Sequence, residues 1–181
     1  MKDKEEKTKD QIRIEFLEKQ ARVNLFGLDI LASLGELQHS AHLGREPYRI
    51  LKVALNHVQR LIDFEASAFY LVDEENSDFI LKEINPASHK ASLQKEVDAE
   101  IENGTFAWAL NQNRAVVVKG SSGKHSLIFH VLATKTRVRG MFVGRVLSNV
   151  KNINETILYP LTVILQNTSN GLESAALYSL I

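Results

Sequence analysis

Apolar residues early in the chain recur at Ile12, Phe16, Val23, Phe26, Ile30, Leu34 and Leu37, close to the alternating four-and-three spacing that draws one seam down a helix. Lys19 interrupts the seam, and Leu17, Leu25, Leu28 and Leu31 widen it, so the pattern predicts a long helix packed in a bundle and ending near Gly44. Pro47 suits a first helical turn, and Ile50, Leu51, Ala54, Leu55, Val58, Leu61 and Ile62 then predict a second amphipathic helix reaching about Asp63.

From Ala66 the period shortens. Ala66 to Val72 and Phe79 to Ile84 read as two strands of a hairpin, joined by the polar run Asp73-Glu-Glu-Asn-Ser-Asp78. Helical spacing returns at Leu93, Val97 and Ile101, and Gly104 separates that segment from a short helix carrying Phe106, Trp108 and Leu110. Three extended runs follow, Ala115 to Val118, Ser126 to Thr134 and Val138 to Leu147, the last two forming an antiparallel pair. A closing helix opens at Asn154 and carries Leu158, Leu161, Leu165, Leu172, Ala176 and Leu180, with Pro160 in its first turns and Asn170-Gly171 as a point of bending.

The segment Ile101-Glu-Asn-Gly-Thr-Phe-Ala-Trp-Ala-Leu-Asn-Gln-Asn-Arg-Ala-Val116, then His125-Ser-Leu-Ile-Phe-His-Val-Leu132 and Arg139-Gly-Met-Phe-Val-Gly-Arg-Val146, resembles the short helix after a glycine and the paired late strands of the GAF family. The resemblance spans about Arg45 to Ser179. It implies an α+β fold, an antiparallel sheet flanked by helices with a ligand cavity on one face, and a regulatory sensor role in a bacterial signalling pathway. On this reading residues 1–44 are a charged start and a signalling and dimerisation helix, and residues 45–181 are the GAF-like domain.

Composition narrows the chemistry. Lys plus Arg equals Asp plus Glu at 22 each, so no excess positive charge exists to hold nucleic acid phosphates. The chain contains no cysteine, which removes disulfides, zinc–thiolate sites, bilin attachment and the thiol chemistry of the family's free methionine sulfoxide reductase. The Asn-Lys-Phe-Asp-Glu type motif of cyclic-nucleotide-binding members is missing as well. The charged start leads into no signal-peptide core, and no run of about 18 apolar residues follows, which points to a cytoplasmic protein without a membrane span.

The motifs that suggest catalysis fail on spacing. Gly120-Ser-Ser-Gly-Lys124-His125 has two residues between its glycines where a phosphate loop needs four, and a strand follows where a helix is required. The acidic run at 73–78 lacks the glycine and terminal glutamate of a calcium loop and reads as a solvated hairpin tip. No nucleophile elbow or zinc-binding helix motif is present, so no catalytic residue, metal or cofactor is assigned. His125 and His130, five apart in one strand, point to opposite faces; a haem held by one of them is a third reading that a visible spectrum tests.

The ligand-binding set taken from the sequence is Phe69, Phe79, Phe106, Trp108, His125 and Arg139, with Arg139 chosen from three strand-associated cations that include Lys119 and Arg145. The dimer interface is assigned to Phe16, Val23, Phe26, Ile30, Leu37, Leu165 and Leu172, on the argument that both helical seams stand exposed in a monomer. The expected function is a non-catalytic sensor in which an unidentified small molecule shifts the flanking helices of a homodimer and an output domain or partner protein reads the change. The alternative is a ligand-free scaffold whose cavity is filled by its own aromatic side chains.

Overall fold

The computed structural model describes residues 9–22, 24–25, 47–120, 123–147 and 153–178. Helix α1 covers residues 9–22, with residues 24–25 also helical. Val23, Phe26, Ile30 and Leu37, and the end of this helix near Gly44, lie outside the described residues.

Helix α2 (Pro47–Leu61) starts with Pro47 at its first turn, where no intrahelical donor is lost, and buries Ile50, Leu51, Ala54, Leu55 and Val58 along one stripe. Strands β1 (Ala66–Val72) and β2 (Phe79–Asn85) form the expected hairpin. Its tip is closed by Asp73, whose Oδ1 accepts the Glu75 and Asn76 amides at 2.9 and 3.4 Å.

Helices α3 (Lys90–Glu102) and α4 (Thr105–Leu110) cross over to the second half of the sheet. Gly104 separates them at φ 84°, and Asn103 fixes the junction by accepting the Thr105 amide at 2.9 Å while donating to Glu100 Oε2 at 2.9 Å. No neighbour lies within 4 Å of where a Cβ would sit on Gly104, so Gly104→Ala meets only the left-handed backbone penalty. It should cost about 1 kcal/mol in a urea titration with an unchanged slope.

Strands β3 (Val116–Lys119), β4 (His125–Ala133) and β5 (Val138–Leu147) complete one antiparallel sheet of order β2-β1-β5-β4-β3, and helix α5 (Glu155–Tyr178) closes the domain. Pro160 is accommodated in the first turns of α5, and the helix runs on through Asn170-Gly171.

Strand alternation sorts the core onto two faces. Phe69, Ile128, Leu132, Phe142 and Val146 face α2 and α5 and meet Leu51, Leu55, Leu161, Leu165 and Leu172. On that face Gly144 leaves room for the Phe64 ring, which packs edge-on to Phe142 at 5.6 Å; a Cβ on Gly144 would lie 2.2 Å from it. Ala66, Ala68, Tyr70, Leu127, Phe129, Met141 and Val143 face the other way, against Leu93 and Val97 of α3 and Phe106 and Ala109 of α4.

This layering corrects part of the expected dimer interface. Leu165 is fully buried and Leu172 only 4% exposed within the chain's own core, because the apolar seam of α5 packs on α2 and the sheet. Phe16 on α1, by contrast, is 62% exposed. Among the described residues no helix is long and apolar enough to cross a membrane.

Candidate functional site

The face of the sheet under α3 and α4 has an aromatic floor and a charged end. Phe106 of α4 meets Phe79 edge-on at a centroid distance of 5.0 Å and Phe129 at 5.9 Å, so three elements converge on one ring. Tyr70, beside them, donates its hydroxyl to Gln94 Oε1 at 3.2 Å, and Gln94 in turn donates to Asp98 at 2.8 Å. Burial first, then the nearby Asp98 charge, raises the Tyr70 phenol above its usual range and keeps it a neutral donor.

At the charged end sits Arg145. It shares the inward parity of Met141 and Val143 on β5, and its side chain is only 4% exposed. Nη1 donates to Ser92 Oγ and to Glu96 Oε1, each at 3.2 Å, and Nε lies 3.3 Å from Glu65 Oε2. Nη2 is 2.7 Å from His89 Nδ1; since the guanidinium has only donors, His89 accepts here and carries its proton on Nε2.

His125 completes the group, with Nε2 3.1 Å from Glu65 Oε2 and Nδ1 3.6 Å from Glu96 Oε1. The chain arranges this simply. Glu65 immediately precedes β1 and its amide donates to the Arg145 carbonyl at 2.9 Å, His125 begins β4, and His89, Ser92 and Glu96 come from the start of α3 and the residue before it.

Two carboxylates face one guanidinium, so the cluster holds an unmatched negative charge whenever both imidazoles are neutral. Several contacts bring opposite charges close without hydrogen-bond alignment. Glu65 Oε2, Glu96 Oε2, His125 Nδ1 and Arg145 Nε are buried and make no hydrogen bond among the described residues. That leaves both donor and acceptor capacity on atoms that solvent does not reach, within side chains of Glu65, Glu96 and His125 that are themselves partly exposed. Ser92 is not set up as a nucleophile: its hydroxyl donates to the His89 carbonyl at 3.0 Å and receives Arg145. Among the described residues no group of three or more His, Asp or Glu is arranged to hold a metal.

The residues assigned to a ligand from sequence are divided by the sheet. Phe79, Phe106 and His125 share the α3–α4 face. Trp108 lies on α4 but is 49% exposed. Phe69 lies behind the sheet, tilted on Phe142 at 5.3 Å. Arg139 also turns away from this face. A bulge between Leu132 and Ala133 reverses the alternation at the start of β5, and Arg139 pairs with Glu173 of α5 and with Glu74 at 2.8 Å. Of the two arginines of β5, the one on the α3–α4 face is Arg145; Arg139 has the same parity along the strand as Met141, Val143 and Arg145, so the bulge and not the alternation separates the two.

His130, on the opposite face from His125, is held neutral. Burial lowers its pKa to about 4, against a smaller upward effect of its hydrogen bond to the Val131 carbonyl. The unfolded chain, with a value near 6.5, therefore binds more protons between about pH 6.5 and 4, and stability falls as pH is lowered through that window. Urea titrations should show a loss of up to about 1.4 kcal/mol per pH unit there, with a smaller slope for His130→Phe.

Comparison with known proteins agrees with this architecture. No curated protein sequence matches the chain. Among solved structures, the GAF domain of a phosphoenolpyruvate-protein phosphotransferase from Coxiella burnetii superposes with a TM-score of 0.62 at 9% identity, covering 86% of this chain and 99% of that one. A GAF domain/HD domain protein from Geobacter sulfurreducens gives 0.58 at 10% identity, covering 74% and 96%. Free methionine-R-sulfoxide reductase from Neisseria meningitidis, in complex with its substrate, gives 0.57 at 15% identity, covering 87% and 93%. At such identities the likeness is one of fold. The family model for the GAF domain, whose members are sensor and regulatory modules, matches residues 46–173, and the chain belongs to that family.

Proposed function

We propose that this GAF domain is a non-catalytic regulatory sensor that binds a small molecule on the α3–α4 face of its sheet and passes the change to its flanking helices. The observation that carries this reading is the buried Arg145 cluster. Holding a guanidinium that is 4% exposed between two partly exposed carboxylates carries a desolvation cost that their attraction must offset, and it leaves a charged group at the end of an otherwise apolar sheet face. The residues offered to a polar ligand are Arg145, Glu65, Glu96 and His125, with Phe79 and Phe106 as the apolar wall and Trp108 at its outer edge.

Transmission is assigned to α1 and α5. Phe16, Lys19 and Gln20 of α1 line a small cleft with Asn154, Thr156 and Ile157 at the start of α5, and this shared cleft supports the assignment. Ile12, Phe16 and Leu17 are each more than half exposed, and pairing of this seam with a second copy would bury them. A ligand shifts such a pair only as far as its affinity differs between the two arrangements.

The test compares protein purified gently with protein unfolded, dialysed and refolded. A ligand retained at about one hundred times its dissociation constant adds about 2.7 kcal/mol of stability, so stripping should lower the melting temperature and shift Trp108 emission. Arg145→Lys, which keeps the charge but loses the planar fork, should melt alike in both preparations. Identical melting of wild-type protein before and after stripping would favour a second reading, a ligand-free scaffold. The close packing of Phe79, Phe106 and Phe129 on this face supports that second reading.

A further inference from the structure

Helix α5 differs in charge from the rest of the chain. Of its 24 residues only Glu155 and Glu173 are charged, in a chain that is 24% charged, and Glu173 is taken by Arg139. From Thr156 to Leu172 the helix carries no charge at all. Its buried stripe accounts for Leu161, Leu165 and Leu172, but the opposite face stands in water at Tyr159, Gln166 and Asn170 and is uncharged too. A solvated helix face ordinarily carries charged residues, whereas depletion of charge beside tyrosine marks the centre of a protein interface.

The surface beside this face is hollowed. A cleft of about 630 Å³ lies between α5 and the approach to β3, with Ala115, Leu158, Thr162 and Val163 in its walls and Tyr159, 73% exposed, beside them. A second hollow of about 410 Å³ lies between α5 and the end of β4 and reaches Asn170. Asn113 and Gln166 border both, so the two adjoin at Gln166, midway along α5. From Glu155 to Asn170 the helix spans about 22 Å.

The occupant that suits this face is a second copy of it. A strongly charged partner finds nothing to pair with between Thr156 and Leu172. The side-chain amides of Gln166 and Asn170 each carry donors and an acceptor, so they can pair with their own counterparts. An uncharged face also brings no like charges together across a two-fold axis, where the same patch meets itself. A projecting Tyr159 next to a hollow supplies both halves of a matching shape.

We propose that α5 pairs with α5 of a second copy through the face of Tyr159, Gln166 and Asn170, about a two-fold axis near Gln166. This rests on the homodimer reading, and it assigns to α5 a contact distinct from the α1 seam and from the buried Leu165 and Leu172.

Sedimentation of the full chain between about 1 and 100 μM tests the contact, and the wild type should be dimeric over most of that range. Gln166→Lys, an exposed change between two good helix formers, should raise the dimer dissociation constant at least about tenfold by setting two cations at the axis. Gln166→Glu should do the same with two anions. An equimolar mixture of the two variants should recover a heterodimer as tight as the wild type, which a role confined to the fold of one chain would not produce. A monomeric wild type overturns the proposal, and so does a mixture that stays dissociated. A dimer indifferent to both Gln166 variants overturns it as well; if Phe16→Glu dissociates that dimer, the α1 seam holds it and the homodimer reading stands without the α5 contact.

Discussion

Arg145→Ala should destabilise the domain by about 3 kcal/mol, among the largest effects of any single substitution in this chain. The guanidinium is 4% exposed, and its removal leaves Glu65 and Glu96 close to each other and to His125 with no fixed positive charge between them. Breaking a buried pair from one side costs about 3–5 kcal/mol, and the 33% and 19% exposure of the two carboxylates places this case at the lower end, since water can screen them. The melting temperature should fall by about 10 °C. Adding Glu96→Ala should recover part of the loss, because the cost comes chiefly from the charge left behind. Urea titrations of both variants measure this, and a loss below about 1 kcal/mol for the single variant would show that the cluster is solvated and unfit for the role proposed.

Phe106→Ala should cost about 3–4 kcal/mol and open the sensing face. The ring is 4% exposed and meets Phe79 and Phe129 edge-on, so truncation removes both aromatic contacts and leaves a cavity walled by apolar side chains. An apolar cavity of that kind stays dry and accepts a ring-sized guest. Benzene should therefore raise the melting temperature of Phe106→Ala and leave the wild type unchanged, with Trp108, two residues along α4, reporting occupancy through its emission. A variant as stable as wild type would mean that Phe106 is not packed as described.

Much of this architecture was legible from local patterns. The two-residue period of β4 and β5, the helical stripe after Pro47, and Gly104 as the break between α3 and α4 each follow from side-chain geometry over a few residues. What escaped depended on distant partners. Nothing in the sequence around Arg145 indicates that Glu65, some eighty residues earlier, and Glu96 will close around it. The bulge at Leu132–Ala133 moves Arg139 to the α5 face through a one-residue change of register, which period-two reasoning does not anticipate. Likewise, an apolar seam on α5 looks the same whether it pairs with another copy or, as with Leu165 and Leu172, with α2 of the same chain.

The most direct test of the sensor reading is the native mass spectrum of the gently purified chain, with subunit number and bound mass read together. A dimer carrying the extra mass of a small molecule is expected, and an Arg145→Lys dimer without it. A monomer of bare mass for the wild type would contradict both the ligand and the helix pairing.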